Sequence, residues 1–590
     1  MAQYKALTIS AASPPSSGDL VRWDGSNWVP YADSNYLSSS YARFTAGAQD
    51  SLYAGEGTLN NPIFNNDTFV GINAGYNVDV GSGSNTLIGS YAGYGRAAGD
   101  KFEGQYNVAV GHNALYSAGE LNNSIAIGYQ SMYSSVTVED TIAIGHEALY
   151  SNVSSNDNIA IGYRSMYGST SATDTVAIGN SVGHSASGSY NILIGQAAGY
   201  NIDSSGGGDD GTYSVYIGSN SGYGFGSTNQ GYYNVGLGSN TLRSNTTGYY
   251  NMALGHEAMY DNTTGNYNVA MGAQALYNNT TSNKNVAIGY YALYNSTTSN
   301  NLAIGAQALR LQTSGYSNMA IGYRAGDATT SGDSNMYLGY QAGFYNQTGS
   351  SNICIGLECG KGVSGNSYNS DTFIGYRAGH SITTGDYNIA IGQDALYNNT
   401  ASDKNVAIGY YALYNSDSAR NVAIGAQALR LQTSGYWNTA IGYRTGDALT
   451  TGDLNTYIGY QAGYYNNTGN NNLCIGYEAG KGSSAQAYSN NIFVGYKAGD
   501  NITTGGNNIV IGYDIDLQSA GGSNQLTIGD IVRGDTSDKE VYLTCPTSLA
   551  ADADLINGEV TVAVDEVNHE LDIKVKYSDG TVKTGIVSLS

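Results

Sequence analysis

Proline is nearly absent, with 5 in 590 residues and none between Pro62 and Pro546. Because proline cannot donate to a β-ladder, its exclusion from so long a stretch points to continuous strand pairing. Charge is sparse as well, Asp, Glu, Lys and Arg together making up 12% of the chain. What there is leans acidic: 46 carboxylates against 23 basic side chains give a formal charge of −23, which opposes a sequence-independent grip on nucleic acid. The 4 cysteines lack CxxC spacing, so neither a disulfide framework nor a zinc site is expected, and no other cofactor is indicated. No run of about eighteen apolar residues offers a membrane-spanning helix. The first residues, Met1-Ala2-Gln3-Tyr4-Lys5, lack the charged region and apolar stretch of a secretory signal, so export by that route is not expected.

Glycine (81) and tyrosine (54) are abundant instead, and they recur with a period. A unit reading Asn, aliphatic, Ala, Ile, Gly, two variable residues, Ala, then Leu or Gly begins near Asp67 and continues to about Asn524. Taking its glycine as position 0, successive units fall at Gly128, Gly145, Gly162 and Gly179, 17 residues apart, and about 27 such units can be aligned. A second period lies on top. Residues 285–296 and 405–416 share NVAIGYYALYNS, and residues 303–316 recur unchanged as 423–436, so the chain carries a duplicated block of 120 residues.

Each unit offers two short extended runs joined at the glycine, then a polar turn. Seventeen residues are too few for two helices. The pattern predicts an all-β fold, a parallel β-solenoid in which each coil hydrogen-bonds to the next and lends it the burial it lacks alone. Residues 61–530 form this shaft, flanked by small β-rich ends at 1–60 and 531–590.

Volumes inside the unit vary together. Position −2 is usually Ala where position +4 is Leu or Met, as in Ala287/Leu293, and large where +4 is Gly, as in Phe373/Gly379 and Tyr337/Gly343. Close-packed interiors resist both cavities and overpacking, so these pairs are expected to share one buried compartment. Ala177/Gly183, Ala320/Gly326 and Ala440/Gly446 break the rule. Contact with the adjacent coil would account for them. Position −1 is almost always aliphatic, and strand alternation turns it to the face opposite position −2. One lumen covers only one of those faces, so the other calls for a second copy of the chain.

The nonamer Asn285-Val286-Ala287-Ile288-Gly289-Tyr290-Tyr291-Ala292-Leu293 resembles the head repeat of trimeric autotransporter adhesins, and is similar to repeats in bacteriophage fibres. The resemblance covers roughly residues 65–530 and implies a left-handed β-roll assembled as a homotrimer. It departs in length, since the adhesin repeat is shorter. Residues 20–31 carry Trp23, Trp28 and Tyr31 around an Asp-Gly hairpin signal, and resemble the N-terminal part of phage fibres, which attaches to another virion protein. Residues 559–564 and 570–577 alternate strictly and continue through Ser578-Asp579-Gly580, which reads as an antiparallel cap or tip.

These features predict a non-enzymatic trimeric fibre of a bacteriophage, on its tail or head, exposed on the virion and engaged in attachment to a host glycan or protein receptor. A bacterial adhesin or filament subunit is the alternative, and a polysaccharide-degrading spike the second. For the spike, Glu147, Glu257, Glu358, Asp394 and Glu478 would be the carboxylates to consider, though none stands out from the periodic background. His112, His146 and His256, directly after the glycine, read as solvated corners without a recurring third ligand. Tyrosine at position +5, as in Tyr116, Tyr133 and Tyr150, reads either as a sugar-binding row or as an edge ladder, the ladder being favoured.

Overall fold

In the computed structural model each coil contributes a three-residue strand ending just before its glycine, such as Ile142–Ile144 and Val286–Ile288. The structure describes residues 66–529 apart from 80–82, 96–100, 118, 204–210, 225–228 and 485; outside that span it describes the backbone of the terminal strands. No helix occurs among the described residues. The chain divides into two units, Met1–Asn285 and Val286–Ser590. In the first, parallel pairing runs in register from Thr68–Val70 to Val269–Met271, with Ile142 opposite Ile159 and Ala143 opposite Ala160. In the second, an in-register parallel ladder runs from Val286–Ile288 to Gln525–Ile528. The fold is a parallel β-solenoid with the 17-residue period of the sequence.

The run after the glycine differs from its expected extended form. Positions +2 and +4 have positive φ in coil after coil, for example Tyr291 at 58° and Leu293 at 50°. Left-handed backbone costs an L-residue on the order of 1–2 kcal/mol, so this turn needs support from outside itself. Neighbouring coils supply it: the N–H of Gln307 donates to the Tyr290 carbonyl at 2.8 Å, and that of Leu309 to the Ala325 carbonyl at 3.0 Å. Only Glu103–Gln105, Glu120–Asn122 and Thr137–Glu139 form an additional parallel sheet in the described coils.

The predicted pairs meet in the lumen. Ala287, Leu293, Tyr337 and Phe373 are all fully buried. A Cβ placed on Gly379 would lie 2.8 Å from the Phe373 ring, and one on Gly343 would overlap Tyr337. The exceptions are filled from adjacent coils. Gly326 is faced by Tyr337 of the next coil and Leu309 of the preceding one, and Gly446 in the same way by Tyr457 and Leu429. Cys354, Cys359 and Cys474 are buried with free thiols and act as small core residues.

Position −4 carries a second internal column. The N–H of Asn318 donates to Asn301 Oδ1 and that of Asn335 to Asn318 Oδ1, both at 2.9 Å. Each Nδ2 then donates to a carbonyl 14 residues further on, Asn318 to Gly332 at 2.7 Å and Asn335 to Gly349 at 2.9 Å. An aspartate interrupts this column. Asp371 Oδ1 accepts from the Asn388 N–H at 2.5 Å, but Oδ2 is buried without a hydrogen-bond partner. One block later the equivalent residue is Asn491, whose Nδ2 donates to the Gly505 carbonyl at 3.1 Å. Burial pushes the Asp371 carboxyl up to about 8, a shift reinforced by Asp386 and Asp403 and opposed by the hydrogen bonds from Asn388.

This carboxyl should make stability fall with pH. Its folded pKa lies above the unfolded value near 3.8, so the folded state holds the extra proton. The associated stability is complete below pH 4 and is lost as pH rises toward and through 8. Asp371→Asn, which restores the amide seen at Asn491, is expected to equal the parent at pH 4 and exceed it by several kcal/mol at pH 8. Denaturation midpoints across that range check this; parallel pH profiles for the two proteins would refute it.

At the C-terminal end the last parallel rung pairs antiparallel with Val532–Asp535, and Glu540–Thr544, Glu559–Asp565, Glu570–Lys576 and Val582–Ser588 follow, each antiparallel to the one before. The edge of the parallel sheet is thereby paired, the arrangement expected of a cap. Near the N-terminus Leu20–Trp23 pairs antiparallel with Trp28–Tyr31, Trp23 opposite Trp28, forming the expected hairpin. The side chains of Trp23, Trp28 and Tyr31 lie outside the described residues.

Candidate interaction face

Alternation along the strand separates two environments. Positions −4 and −2 point into the lumen, so −5, −3, −1 and +1 face outward together. Positions −3 and −1 carry no charged residue in any coil from Thr68 to Ile528, and position −1 is Ile, Val, Leu or Met throughout. Within a single chain this surface stays partly open: Ile192 is 42% exposed, Met252 45% and Leu254 40% in the first unit, and Ile353, Ile389 and Ile441 37% each in the second. The lumen face is closed and the outer face is partly open. Exposed apolar side chains repeated in this way make the face a candidate interaction site.

Aromatic columns widen the face. At position +1 of the second unit, Tyr443, Tyr460, Tyr477, Tyr496 and Tyr513 stack with centroids 5.4, 4.9, 5.1 and 4.8 Å apart. The histidines occupy the same column in the first unit: His112 stacks on Tyr129 at 5.6 Å, and His146 lies between Tyr129 and Tyr163 at 4.9 and 5.3 Å. At position −5, Tyr190, Tyr213, Tyr233, Tyr250 and Tyr267 form another stack, spaced 4.9 to 5.3 Å.

The carboxylates considered for catalysis all lie at position +2, and all five are tied to a cation or an amide. Glu147 meets Arg164 Nε at 2.6 Å, Glu257 accepts from Gln274 Nε2 at 2.7 Å, and Glu478 meets Lys481 Nζ at 2.7 Å. Lys361 and Arg377 hold the Glu358 carboxyl below its usual range. Asp394, itself buried, accepts from Gln393 Nε2 at 3.1 Å. Each is accounted for as a tie between or within coils. Among the described residues, no group of three His, Cys, Asp or Glu side chains is placed to hold a metal ion.

The tyrosine row at position +5 stacks face to face, Tyr116 on Tyr133 and Tyr133 on Tyr150 at 4.9 Å with planes 2° apart. Rings inside such a stack have both faces covered by neighbours. A sugar could reach only their edges and hydroxyls, so the geometry favours the ladder.

No family model matches the chain, and neither a curated protein nor a solved structure matches it. Among the described residues no helix is long and apolar enough to cross a membrane.

Proposed function

We propose that this chain is the non-enzymatic structural fibre of a bacteriophage virion, a homotrimer displayed outside the particle and used to reach a host surface. The observation that carries the reading is the pair of uncharged outward positions −3 and −1, the latter aliphatic on every rung, left partly open by a single chain. A fibre that bundles identical chains side by side uses such a face along its length, whereas a receptor or substrate of ordinary size would cover only a few rungs. The N-terminal hairpin with Trp23, Trp28 and Tyr31 is the proposed contact with another virion protein, since aromatic side chains are frequent interface anchors. The C-terminal strands close the ladder and form the tip, available to a glycan or protein receptor.

Native mass measurement of the full chain tests the assembly, with a species of three 61.7 kDa chains expected and a monomer excluding it. Deleting residues 1–45 should leave soluble trimers that no longer join the particle. Deleting 536–590 should give misassembled or aggregated protein, because an unpaired sheet edge recruits other edges. If the C-terminal deletion still yields soluble trimers that assemble normally, the capping role falls. Release of sugar from host capsule or lipopolysaccharide on incubation would instead favour the polysaccharide-degrading spike.

A further inference from the structure

The two 120-residue blocks serve as an internal comparison, because their coils share register and most core residues. Three consecutive rungs of the outer face differ between them in one direction. Position −5 changes from Asn300, Ser317 and Ser334 to Arg420, Trp437 and Leu454, while position −3 changes from Leu302, Met319 and Met336 to Val422, Thr439 and Thr456. Bulk is gained at one position and given up two residues away. Trp437 and Leu454 are 55% and 56% exposed, so the solenoid interior does not impose this exchange. The Arg420 guanidinium lies over the Trp437 ring at 4.8 Å, which braces the indole at the corner of the face.

We propose that Trp437 and Leu454 are contact residues for a second copy of this chain, and that they fill against it the apolar volume that Met319 and Met336 fill one block earlier. Apolar bulk that moves from position −3 to position −5 on consecutive rungs, and stays on the outer face, is what one body covering both positions would select. That body must meet aliphatic residues at position −1 on every rung, and so must present apolar groups repeating at the strand spacing of roughly 4.8 Å. The chain's own outer face has that repeat. The inference rests on the self-association proposed above and adds the corner column to the interface.

The test uses the full chain and reads association by native mass spectrometry and by dissociation in urea at several protein concentrations. Trp437→Ser with Leu454→Ser reproduces the position −5 residues of the first block without its methionines. This variant should dissociate at protein concentrations about tenfold or more above the parent, the effect of losing two large apolar contacts. Adding Thr439→Met and Thr456→Met completes the first-block pairs and should recover most of that loss. A parent that is monomeric overturns both this inference and the self-association reading. An associated parent whose double variant dissociates unchanged overturns this inference alone. So does a loss independent of protein concentration, which would place the packing within one chain, and so does failure of the added methionines to restore association.

Discussion

Replacing Gly409 by alanine is expected to cost about 3–5 kcal/mol, one of the largest effects of any single methyl group in the chain. Two independent demands meet at this position. Its φ is +135°, in a region essentially reserved for glycine, and a Cβ there would lie 2.6 Å from the carbonyl carbon and oxygen of Gly425 on the next coil. Neither atom can move without disturbing the ladder. Gly365 supplies the control, with φ at +93° and nothing within 4 Å of an added Cβ. Gly365→Ala should therefore carry only the backbone penalty, about 1–2 kcal/mol. Denaturant unfolding of the two variants, with hydrogen exchange of the amides around residues 405–430, measures the difference. Equal losses would mean that contact between coils at the glycine contributes nothing.

The parallel solenoid was legible because its period is written in residues that admit few substitutes. Glycine at position 0 answers to both φ and space, and alternation of Ala with Ile separates lumen from exterior. The paired volumes at −2 and +4 were legible because one compartment must be filled. The nature of the second half of each coil was not. Leucine at +4 looks like a strand residue, yet Leu293 and Leu309 hold φ near 50° because hydrogen bonds from neighbouring coils offset a local preference that sequence alone displays. The break at Asp371 was also hidden, since asparagine and aspartate differ by one group and only the column around the residue shows what the missing amide would do. Trp437 and Leu454 could have been found beforehand by comparing the two blocks position by position at exposed sites.

Tyr457 and Gly463 should behave as a single packing unit, like Tyr337 and Gly343 one block earlier. Gly463 has φ +62°, an angle close to that of Leu413 at the same position of another coil, so glycine is required there for room and not for backbone freedom. A Cβ would lie 2.6 Å from the Tyr457 ring, which is itself enclosed on its other side by Gly446. Gly463→Ala is expected to cost about 2–3 kcal/mol by overpacking. Tyr457→Ala should cost about 3–5 kcal/mol through the cavity it leaves. Combining Tyr457→Ala with Gly463→Leu recreates the Ala407/Leu413 arrangement and should be more stable than Tyr457→Ala alone by about 1–2 kcal/mol. Full recovery is not expected, because Asn466 Nδ2 donates to the Tyr457 hydroxyl at 2.7 Å and the double variant removes that acceptor. Chemical denaturation of the three variants and the parent decides the matter. If Gly463→Leu destabilises the Tyr457→Ala background as much as it destabilises the parent, positions −2 and +4 do not share a compartment.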